Sequence, residues 1–473
     1  MASAKSKALH SIGNVVFRYI YKNPKRNMLR LVKLGKKFAG KMYPETTFTT
    51  PIDIISNENN IWHNYLFNGI NDVDKDFLQH AILTFGIDLG LIGTATLRKK
   101  RDEMHCNIPW VVLLDPTSAC NLKCKGCWAA EYGYKSNLTL DEMRRIITEC
   151  KELGTHFFMY TGGEPLIRKK DLITLALENQ DCIFLAFTNG TLVDEEFCAD
   201  LKKCKNFGLA LSIEGTEETN DDRRGEGAYK ATLDAMAILK KHGCIFGTSV
   251  CYTSHNYEAV TSDAFYDKMI ECGAKYMWYF HYMPVGSDSD TKLLLSPEQR
   301  EHVYRSIREK RNNKTGKPIF TVDFQHDAEF VGGCIAGGRN YFHINSEGDA
   351  EPCVFIHYSD SNIREKSILE CLRSPLFNEY YKGQPFNKNM LRPCPMLENP
   401  QALRKMVERS GAKSTNLLCA ESAEALCAKC DSYAEKWAPK AKEIWEETER
   451  FKPFTQYYRD TPEGQAGYKP EDY

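Results

Sequence analysis

The chain has 473 residues, of which 42% are hydrophobic and 26% charged, with a formal net charge of −1. This composition is ordinary for a folded protein, the length predicts two or three domains, and the balanced charge gives no reason to expect a nucleic-acid partner. No signal peptide is recognisable. No apolar run reaches the roughly 18 residues of a membrane-spanning helix, because Asp88 interrupts the most apolar stretch.

Cysteine usage adds a second constraint, because the chain contains 18 cysteines. Without a secretory signal, so many cysteines indicate reduced thiols rather than a disulfide scaffold, and some of them are expected to bind a metal. This usage favours a cytoplasmic protein of an anaerobic cell.

The first predicted region, residues 1–104, is helical. Residues 1–43 contain eleven lysines or arginines and no acidic residue. Apolar residues such as Met28, Leu31 and Val32 recur there at helical spacing, which predicts a basic amphipathic helix. Such a helix either lies on the anionic inner face of a membrane or docks on the protein's own core with its basic side in water.

The second region, residues 105–330, alternates short apolar runs with amphipathic helical stretches. The repeated units imply a parallel sheet with helices on its outside, so an α/β protein is expected. Such sheets carry their chemistry at the carboxyl ends of the strands. The aromatic residues of the last predicted strand are expected in the core rather than in a substrate site. The predicted strands are residues 110–114, 156–160, 182–187, 209–213, 245–252 and 276–282.

Three cysteines follow the first predicted strand. Cys120, Cys124 and Cys127 fall close together in sequence, so their thiolates can surround one soft metal centre, whereas a disulfide would leave one cysteine over. Zinc sites and [4Fe–4S] clusters normally use four ligands. No fourth cysteine or histidine stands at zinc-finger spacing nearby, which favours an iron–sulfur cluster with one iron open to a cofactor or substrate.

The Cys-x3-Cys-x2-Cys spacing after a first strand resembles the signature of the radical S-adenosylmethionine (SAM) superfamily. The resemblance implies a partial (β/α)6 TIM-like barrel with a [4Fe–4S] cluster whose open iron binds SAM. One-electron cleavage then gives methionine and a 5′-deoxyadenosyl radical. A low-potential electron donor such as flavodoxin or ferredoxin is implied as well. Gly126 stands where many members place an aromatic residue against the adenine, and Trp128 is the candidate replacement.

Two motifs at later strand ends are similar to SAM-binding elements of that superfamily. Gly162, Gly163 and Glu164 belong to a Gly-Gly-Glu-Pro sequence, in which glycine permits close approach of the backbone and the carboxylate is implied to bind the methionyl ammonium. An arginine suits the methionyl carboxylate because its guanidinium donates two parallel hydrogen bonds. Arg224 is favoured over Arg223 for this role by its position relative to the following glycine.

Further strand ends supply polar groups to the same edge of the sheet. Asn189 follows the third predicted strand, and the resemblance makes Ser212 and Glu214 candidates for contacts with the ribose hydroxyls. Val250 and Tyr252 are expected to offer backbone groups to the adenine. No catalytic side chain is assigned beyond these cofactor ligands.

The third region, residues 331–473, is richer in cysteine and is expected to form a small α+β domain that ends in a charged helix near residues 434–451. Cys334 and Cys353 stand in a pattern that resembles the opening of the SPASM or twitch extension of many radical SAM enzymes. That resemblance implies an auxiliary iron–sulfur cluster with Cys394 as a third ligand.

The fourth ligand of the auxiliary cluster stays open. Cys430, a histidine such as His357, or the substrate could supply it, and Cys419 and Cys427 stand nearby in sequence. The spacing of Cys427 and Cys430 is typical of metal ligands, but it also places two residues on one face of any helix.

The sequence therefore predicts an enzyme that cleaves SAM reductively and abstracts a hydrogen atom from its substrate. A peptide or protein is the first substrate class, because it is commonest among SPASM-type enzymes. A membrane lipid, suggested by the basic N-terminal segment, and a small metabolite are the other two. A non-enzymatic iron–sulfur electron-transfer or regulatory protein is the competitor from another class, and the cofactor-binding motifs disfavour it.

Overall fold

The computed structural model describes residues 4–39, 45–130, 135–416, 418 and 420–447. Parts of the predicted basic segment, Cys419 and the end of the predicted C-terminal helix lie outside these ranges. Within them the chain combines a large, mostly parallel sheet with surrounding helices. This confirms the predicted α/β class.

Helices precede the sheet in the described part of the chain. They are α1 (Ala4–Lys22), α2 (Pro24–Ala39), α3 (Thr46–Ser56), α4 (Ile61–Asp72), α5 (Lys75–Leu83), a π-helix (Thr84–Gly93) and α6 (Thr94–Met104). The predicted amphipathic helix is two helices, because Pro24 favours the start of a helix over its interior. The continuous segment Lys75–Met104 is long and apolar enough to cross a membrane by length and composition, although the sequence predicted no such helix.

Nine strands form the main sheet. They are β1 (Val111–Leu114), β2 (Phe157–Tyr160), β3 (Ile183–Thr188), β4 (Phe207–Ser212), β5 (Phe246–Tyr252), β6 (Tyr276–His281), β7 (Phe320–Asp323), β8 (Tyr341–Ile344) and β9 (Ala350–Glu351). Their order is β7-β6-β5-β4-β3-β2-β1-β8-β9, and the β8–β9 pair is antiparallel. A small antiparallel sheet contains β10 (Tyr358–Ser359) and β11 (Lys413–Ser414).

All six predicted strands occupy neighbouring places in this sheet, in chain order, as a TIM-like half-barrel requires. The sequence did not predict β7, β8 or β9. β8 lies beyond residue 330, yet it pairs in parallel with β1. The division of the chain at residues 104 and 330 stays a prediction, and the region after 330 shares the main sheet.

The remaining helices surround the sheet and its carboxyl ends. They are α7 (Leu140–Glu152), α8 (Lys169–Glu178), α9 (Glu195–Cys204), α10 (Glu217–Arg224), α11 (Ala228–Lys241), α12 (Tyr257–Thr261), α13 (Asp263–Cys272), α14 (Pro297–Lys310), α15 (Ala328–Val331), α16 (Ile368–Leu372), α17 (Pro375–Gly383), α18 (Pro400–Ser410) and α19 (Ala423–Glu447), with 3-10 helices at Pro165–Arg168 and Thr291–Leu293. The predicted charged C-terminal helix corresponds to α19, which begins earlier than expected.

Alternate strand residues face opposite sides of the sheet. On the outer side, Val112 and Phe158 are buried among the helices. On the inner side, Val111 and Met159 belong to a second apolar cluster, which also includes residues of the C-terminal region such as Leu376. Because both faces are covered, the strands read as continuous apolar runs in the sequence.

The N-terminal helices pack against the amino-terminal ends of the strands. The backbone N–H of Asp74 donates to the carbonyl oxygen of Gly243 at 2.8 Å, just before β5. Lys275, just before β6, pairs with Asp72 at 2.6 Å. The carboxyl ends, where the predicted motifs lie, are at the other end of the sheet.

The loop after β2 holds the loop after β1. The N–H of Gly163 donates to the carbonyl of Thr117 at 3.0 Å, and the N–H of Glu164 donates to the carbonyl of Ala119 at 2.8 Å. A Cβ on Gly163 would lie 2.1 Å from the Ala119 oxygen, and one on Gly162, whose φ is +98°, would lie 2.6 Å from the Thr117 oxygen. Glycine is required here because the two loops touch, and this contact fixes the backbone ahead of the first loop cysteine.

A buried ion pair joins α14 to the C-terminal region. Arg300, which has no exposed surface, lies 2.7 Å from Glu398. Arg300 also donates to His326 Nε2 and to the Tyr433 hydroxyl, each at 3.0 Å. Glu398 in turn accepts the backbone N–H of Cys394 at 2.7 Å. One guanidinium therefore links α14, α19 and the segment that carries Cys394.

Substitution of Gly163 by alanine tests the contact between the two loops. We expect Gly163→Ala to lower the free energy of unfolding by about 1–3 kcal/mol, because the added Cβ overlaps a backbone oxygen that has no room to move. Urea unfolding measures this change. Gly69→Ala on α4 is the matched control, because its Cβ meets no atom within 4 Å and alanine favours a helix. Equal destabilisation by both variants would contradict the contact.

Removal of the buried Arg300 cation tests the ion pair that joins α14 to the C-terminal region. We expect Arg300→Met to lower the free energy of unfolding by about 3–5 kcal/mol, because it leaves the Glu398 carboxylate buried without its cation. Arg305→Met removes exposed ion pairs with Glu301 and Glu447 and is expected to cost less than about 1 kcal/mol. Denaturant titrations of both variants make the comparison, and an Arg300→Met protein as stable as Arg305→Met would refute the assignment.

Candidate active site

One cavity opens at the carboxyl ends of the strands, between the loop after β1 and the C-terminal region. The predicted site residues that line it are Cys120, Cys124, Cys127, Gly162, Gly163, Glu164, Asn189, Ser212 and Arg224. Arg223, the less favoured arginine, lines it as well, and so does Thr188, which the sequence did not single out. The structure thus brings most of the predicted SAM-binding residues together in one cavity.

Cys120, Cys124 and Cys127, here called the loop cysteines, lie around one end of the cavity. The N–H of Leu122 lies 3.4 Å from Cys120 Sγ, and Arg224 Nη1 lies 4.0 Å from Cys124 Sγ. An N–H donor and a cation beside the thiolates can stabilise the negative charge of a metal centre bound there.

Burial raises the pKa of the Cys127 thiol to about 11. A metal must therefore displace the proton when it binds, as thiolate ligands require.

Glu164 lies beside the loop cysteines and is almost fully buried. Its Oε1 accepts the Thr188 hydroxyl at 2.7 Å and the N–H of Leu166 at 3.0 Å, and its Oε2 accepts the N–H of Asn189 at 2.9 Å. Burial raises the pKa of this carboxyl even though these hydrogen bonds oppose the change. A carboxylate has about four acceptor positions, so one remains for a cation in the cavity.

Glu214 lies behind the two arginines rather than at the cavity wall. Its Oε1 accepts Arg224 Nη2 at 2.6 Å and also contacts Arg223 Nη1. In the described residues, Glu214 Oε2 and the Nε atoms of Arg223 and Arg224 are buried without a hydrogen-bond partner. Glu214 therefore orients the two arginines, and its contact with the ribose stays a prediction.

The side chains of Val250 and Tyr252 do not reach the cavity. Val250 is buried on the helix side of the sheet, and the hydroxyl of Tyr252 donates to Asp323 Oδ1 at 3.2 Å. Ser249 and Cys251, their neighbours on β5, line the cavity instead. Val250 pairs with Tyr279 of β6 in the sheet, and the contacts of the Val250 and Tyr252 backbone with an adenine stay a prediction.

Gly126 has no side chain because the ring of Tyr282 occupies the space beside it. A Cβ on Gly126 would lie 2.7 Å from Tyr282 Cε2. Trp128, the predicted replacement for the missing aromatic residue, stacks on His357 with a ring separation of 6.0 Å and meets Phe355 edge-on. Tyr282 is therefore the aromatic residue that covers the loop at this position, and Trp128 faces the C-terminal region.

An aromatic wall forms the other side of the cavity. Trp278 and Phe280 of β6 stack at 5.8 Å, and Phe187 of β3 contacts both rings. Phe324 and Phe355 complete this wall. The aromatics of the last predicted strand were expected in the core, whereas Trp278 and Phe280 of β6 line the cavity.

Cys334, Cys353 and Cys394, here called the auxiliary cysteines, lie near one buried phenol. Burial and the nearby thiols of these three residues and of Cys427 hold the pKa of Tyr380 well above its usual value. Tyr341 contacts Cys353 Sγ at 2.7 Å, while the N–H groups of Met396 and Leu397 point at Cys394 Sγ from 3.4 Å. The Tyr380 hydroxyl has no hydrogen-bond partner among the described residues, which fits a missing group at this position.

Two of the candidates for a fourth auxiliary ligand lie on α19. Cys427 and Cys430 are both buried there. His357 instead lines a small polar pocket with His343 and Glu351, and its Nδ1 lies 3.5 Å from the Glu351 carboxylate. Cys427 is one of the thiols that raise the pKa of Tyr380, as the auxiliary cysteines do, whereas His357 belongs to the polar pocket.

Comparison with known proteins identifies one domain of the chain. Residues 114–264 match the model of the radical SAM superfamily. An AdoMet-dependent heme synthase of Methanosarcina barkeri is 28% identical over 293 residues, which cover 56% of this chain and 82% of the relative. A serine-type anaerobic sulfatase-maturating enzyme of Klebsiella aerogenes is 27% identical over 290 residues, which cover 55% of this chain and 71% of the relative.

Solved structures show the same fold. Streptococcus suis SuiB bound to S-adenosylmethionine aligns with a TM-score of 0.52 at 19% identity, over 63% of this chain and 75% of that chain. SuiB bound to its precursor peptide SuiA aligns with a TM-score of 0.51 at 19% identity, over 64% and 74%. Together with the cysteine loop and the cavity beside it, these matches identify residues 114–264 as a radical SAM domain.

Proposed function

We propose that this radical SAM enzyme abstracts a hydrogen atom from an apolar part of its substrate, held between the loop cysteines and the auxiliary cysteines. The observation that carries this proposal is one cavity that joins the loop cysteines to an aromatic wall. When bound, the cluster and SAM supply a 5′-deoxyadenosyl radical through one-electron cleavage of a carbon–sulfur bond. The chain's own residues bind and orient the cofactor and the substrate, and they exclude water from the cavity.

Polar residues on the loop-cysteine side suit the methionyl end of SAM. Cys120, Cys124 and Cys127 would hold the cluster. Glu164 keeps an acceptor position for the ammonium, and Arg224, held by Glu214, offers donors for the carboxylate. Because Glu164 and Arg224 are held in place before SAM binds, binding needs no rearrangement of these two side chains.

The aromatic wall defines the substrate's reacting part. The Asp, Glu, Lys and Arg side chains that line the cavity are Glu164, Arg223 and Arg224, and all three belong to the loop-cysteine side. A charged substrate group against Trp278 and Phe280 would lose its hydration without gaining a partner. We therefore propose that the substrate places an uncharged, apolar or aromatic group against this wall, where it is shielded from water.

The auxiliary cysteines would hold a second iron–sulfur cluster beside the substrate. Their neighbours Ile335, Tyr341 and Val354 line the cavity. Few side chains would therefore separate a bound substrate from the second cluster. The unpartnered Tyr380 hydroxyl and the N–H groups aimed at Cys394 support the assignment. Cys427 is the proposed fourth ligand.

A peptide or protein is the first candidate substrate class. The relatives named as a sulfatase-maturating enzyme and as SuiB bound to a precursor peptide support it. A membrane lipid is the second, favoured by the apolar wall and by exposed apolar side chains on the N-terminal helices. A flavodoxin or ferredoxin remains the proposed electron donor, and the cytoplasm the proposed location.

The SAM-cleavage assay tests the first half of the reaction. The anaerobically reconstituted protein, given dithionite and SAM, is expected to release 5′-deoxyadenosine, and Cys124→Ala is expected to reduce it to background. Chromatography of the quenched reaction measures the product. Cys150→Ala, in the core face of α7, is the matched control and should keep most of the activity. Wild-type protein with intact clusters but no product would overturn the proposal.

Iron content tests the auxiliary ligands. We expect Cys394→Ala and Cys427→Ala each to lower iron and sulfide per chain by about half, because each removes a ligand from one of two clusters. Cys430→Ala is the matched control on the same helix and should keep its iron. If Cys430→Ala lost iron while Cys427→Ala kept its full iron content, the fourth ligand would be Cys430 rather than Cys427.

A further inference from the structure

Helix α1 exposes apolar side chains on the face that does not pack against the protein. Ile12, Val15, Val16 and Tyr19 follow one another at helical spacing, and their exposed fractions are 62%, 63%, 37% and 37%. We call this set the α1 stripe. Exposed large apolar residues in such a row mark an interaction site.

The opposite face of α1 already has its partner. Ser6 and His10 bind the buried carboxylate of Asp88 at 2.8 and 2.6 Å, and Phe17 is 7% exposed. The hydroxyl of Tyr21 donates to the carbonyl of Ile70 at 2.8 Å. Docking of α1 on the protein's core therefore accounts for these residues and leaves the α1 stripe unexplained.

The neighbouring helical segment adds exposed apolar side chains. Phe85 and Leu91 of the π-helix are 50% and 60% exposed, although Leu89 between them is buried. Phe85 also meets Trp110 edge-on at 5.7 Å, just before β1. The exposed side chains thus belong to two helices that pack on each other through Asp88, at the amino-terminal end of the sheet.

Basic residues lie on α1 beside the α1 stripe and on the following helix, α2. Lys7, Arg18 and Lys22 are exposed on α1 itself. On α2, Lys25 and Lys36 pair with Glu58 and Glu45 at 2.5 and 3.0 Å. The other lysines and arginines of this helix add to the excess of positive charge. Since residues 1–43 contain eleven lysines or arginines and no acidic residue, the surface is complementary to anionic headgroups.

We propose that α1 docks this protein onto the surface of an anionic lipid bilayer, with the α1 stripe inserted at the headgroup level. The segment Lys75–Met104 does not span the bilayer in this arrangement. Its side chains Phe77, Leu89 and Leu97 are buried in the protein, and Asp88 holds α1. An apolar face flanked by cations is typical of helices that lie in the interface.

This proposal is independent of the substrate, and packed aromatic rings separate the proposed docking surface from the active-site cavity. From Phe85 the ring contacts continue to Trp110 and on to Phe157 at the start of β2. Met159 of the same strand lines the active-site cavity. The bilayer surface would therefore lie at the amino-terminal end of the sheet, away from the opening at the loop cysteines.

Vesicle co-sedimentation of the full-length holoenzyme tests the docking. We expect binding to vesicles of phosphatidylglycerol and phosphatidylcholine, and at least about tenfold weaker binding to phosphatidylcholine alone or at high salt. The triple variant Ile12→Glu, Val15→Glu, Val16→Glu should lose at least about tenfold in partitioning, because it removes the inserted side chains.

Two further variants keep the test interpretable. Leu177→Glu with Phe320→Glu changes residues of similar exposure, 47% and 51%, outside the N-terminal helices, and should bind vesicles as the wild type does. Lys7→Gln with Arg18→Gln and Lys22→Gln should weaken binding to anionic vesicles without altering the apolar face. All variants should form 5′-deoxyadenosine at the wild-type rate, so a failure of docking and a failure of SAM cleavage are separate results.

Equal vesicle binding by the wild type and the α1 triple variant would overturn the proposal. So would a wild-type protein that ignores anionic vesicles but forms a dimer in light scattering that the triple variant abolishes. That result would assign the α1 stripe to a second copy of the chain.

Discussion

The parallel pairing of β8 with β1 is the contact that creates the site. It aligns Val111 with Tyr341 and Leu114 with Ile344, and so brings a distant part of the chain beside the strand that carries the cysteine loop. A buried imidazole strengthens the junction. His343 lies 2.9 Å from Asp115 and 2.7 Å from Glu351, and these two carboxylates raise its pKa to about 10. The charged triad ties the end of β1 to β8 and β9, and the auxiliary cysteines follow from there.

The sequence was sufficient for the six central strands and for the cysteine loop. Those strands are covered on both faces, so their apolar runs stand out between polar helix faces. β8 and β9 could not be found in this way. They are short, and their partners lie far away in the chain, so nothing local distinguishes them from the loops around them. The link between the two cysteine groups was therefore invisible before the fold was known.

At the site itself, motifs were predictable and side-chain directions were not. Cys120, Glu164 and Arg224 reached the cavity because their motifs lie in loops at strand ends. On β5 the apolar pattern does not reveal which alternate residues face inward, so the sequence did not identify Ser249 as a residue of the cavity wall. The same uncertainty hid Trp278, since its neighbours on β6 are also aromatic or apolar.

Cys120 is exposed to solvent, whereas the other two loop cysteines are partly covered. A cluster bound there would present one edge at the molecular surface. Solvent contact is one of the factors that set the reduction potential of iron–sulfur clusters, and a surface edge gives a redox protein a short path for its electron. The same edge is open to dioxygen. A cluster held there would therefore be accessible both to an electron donor and to dioxygen.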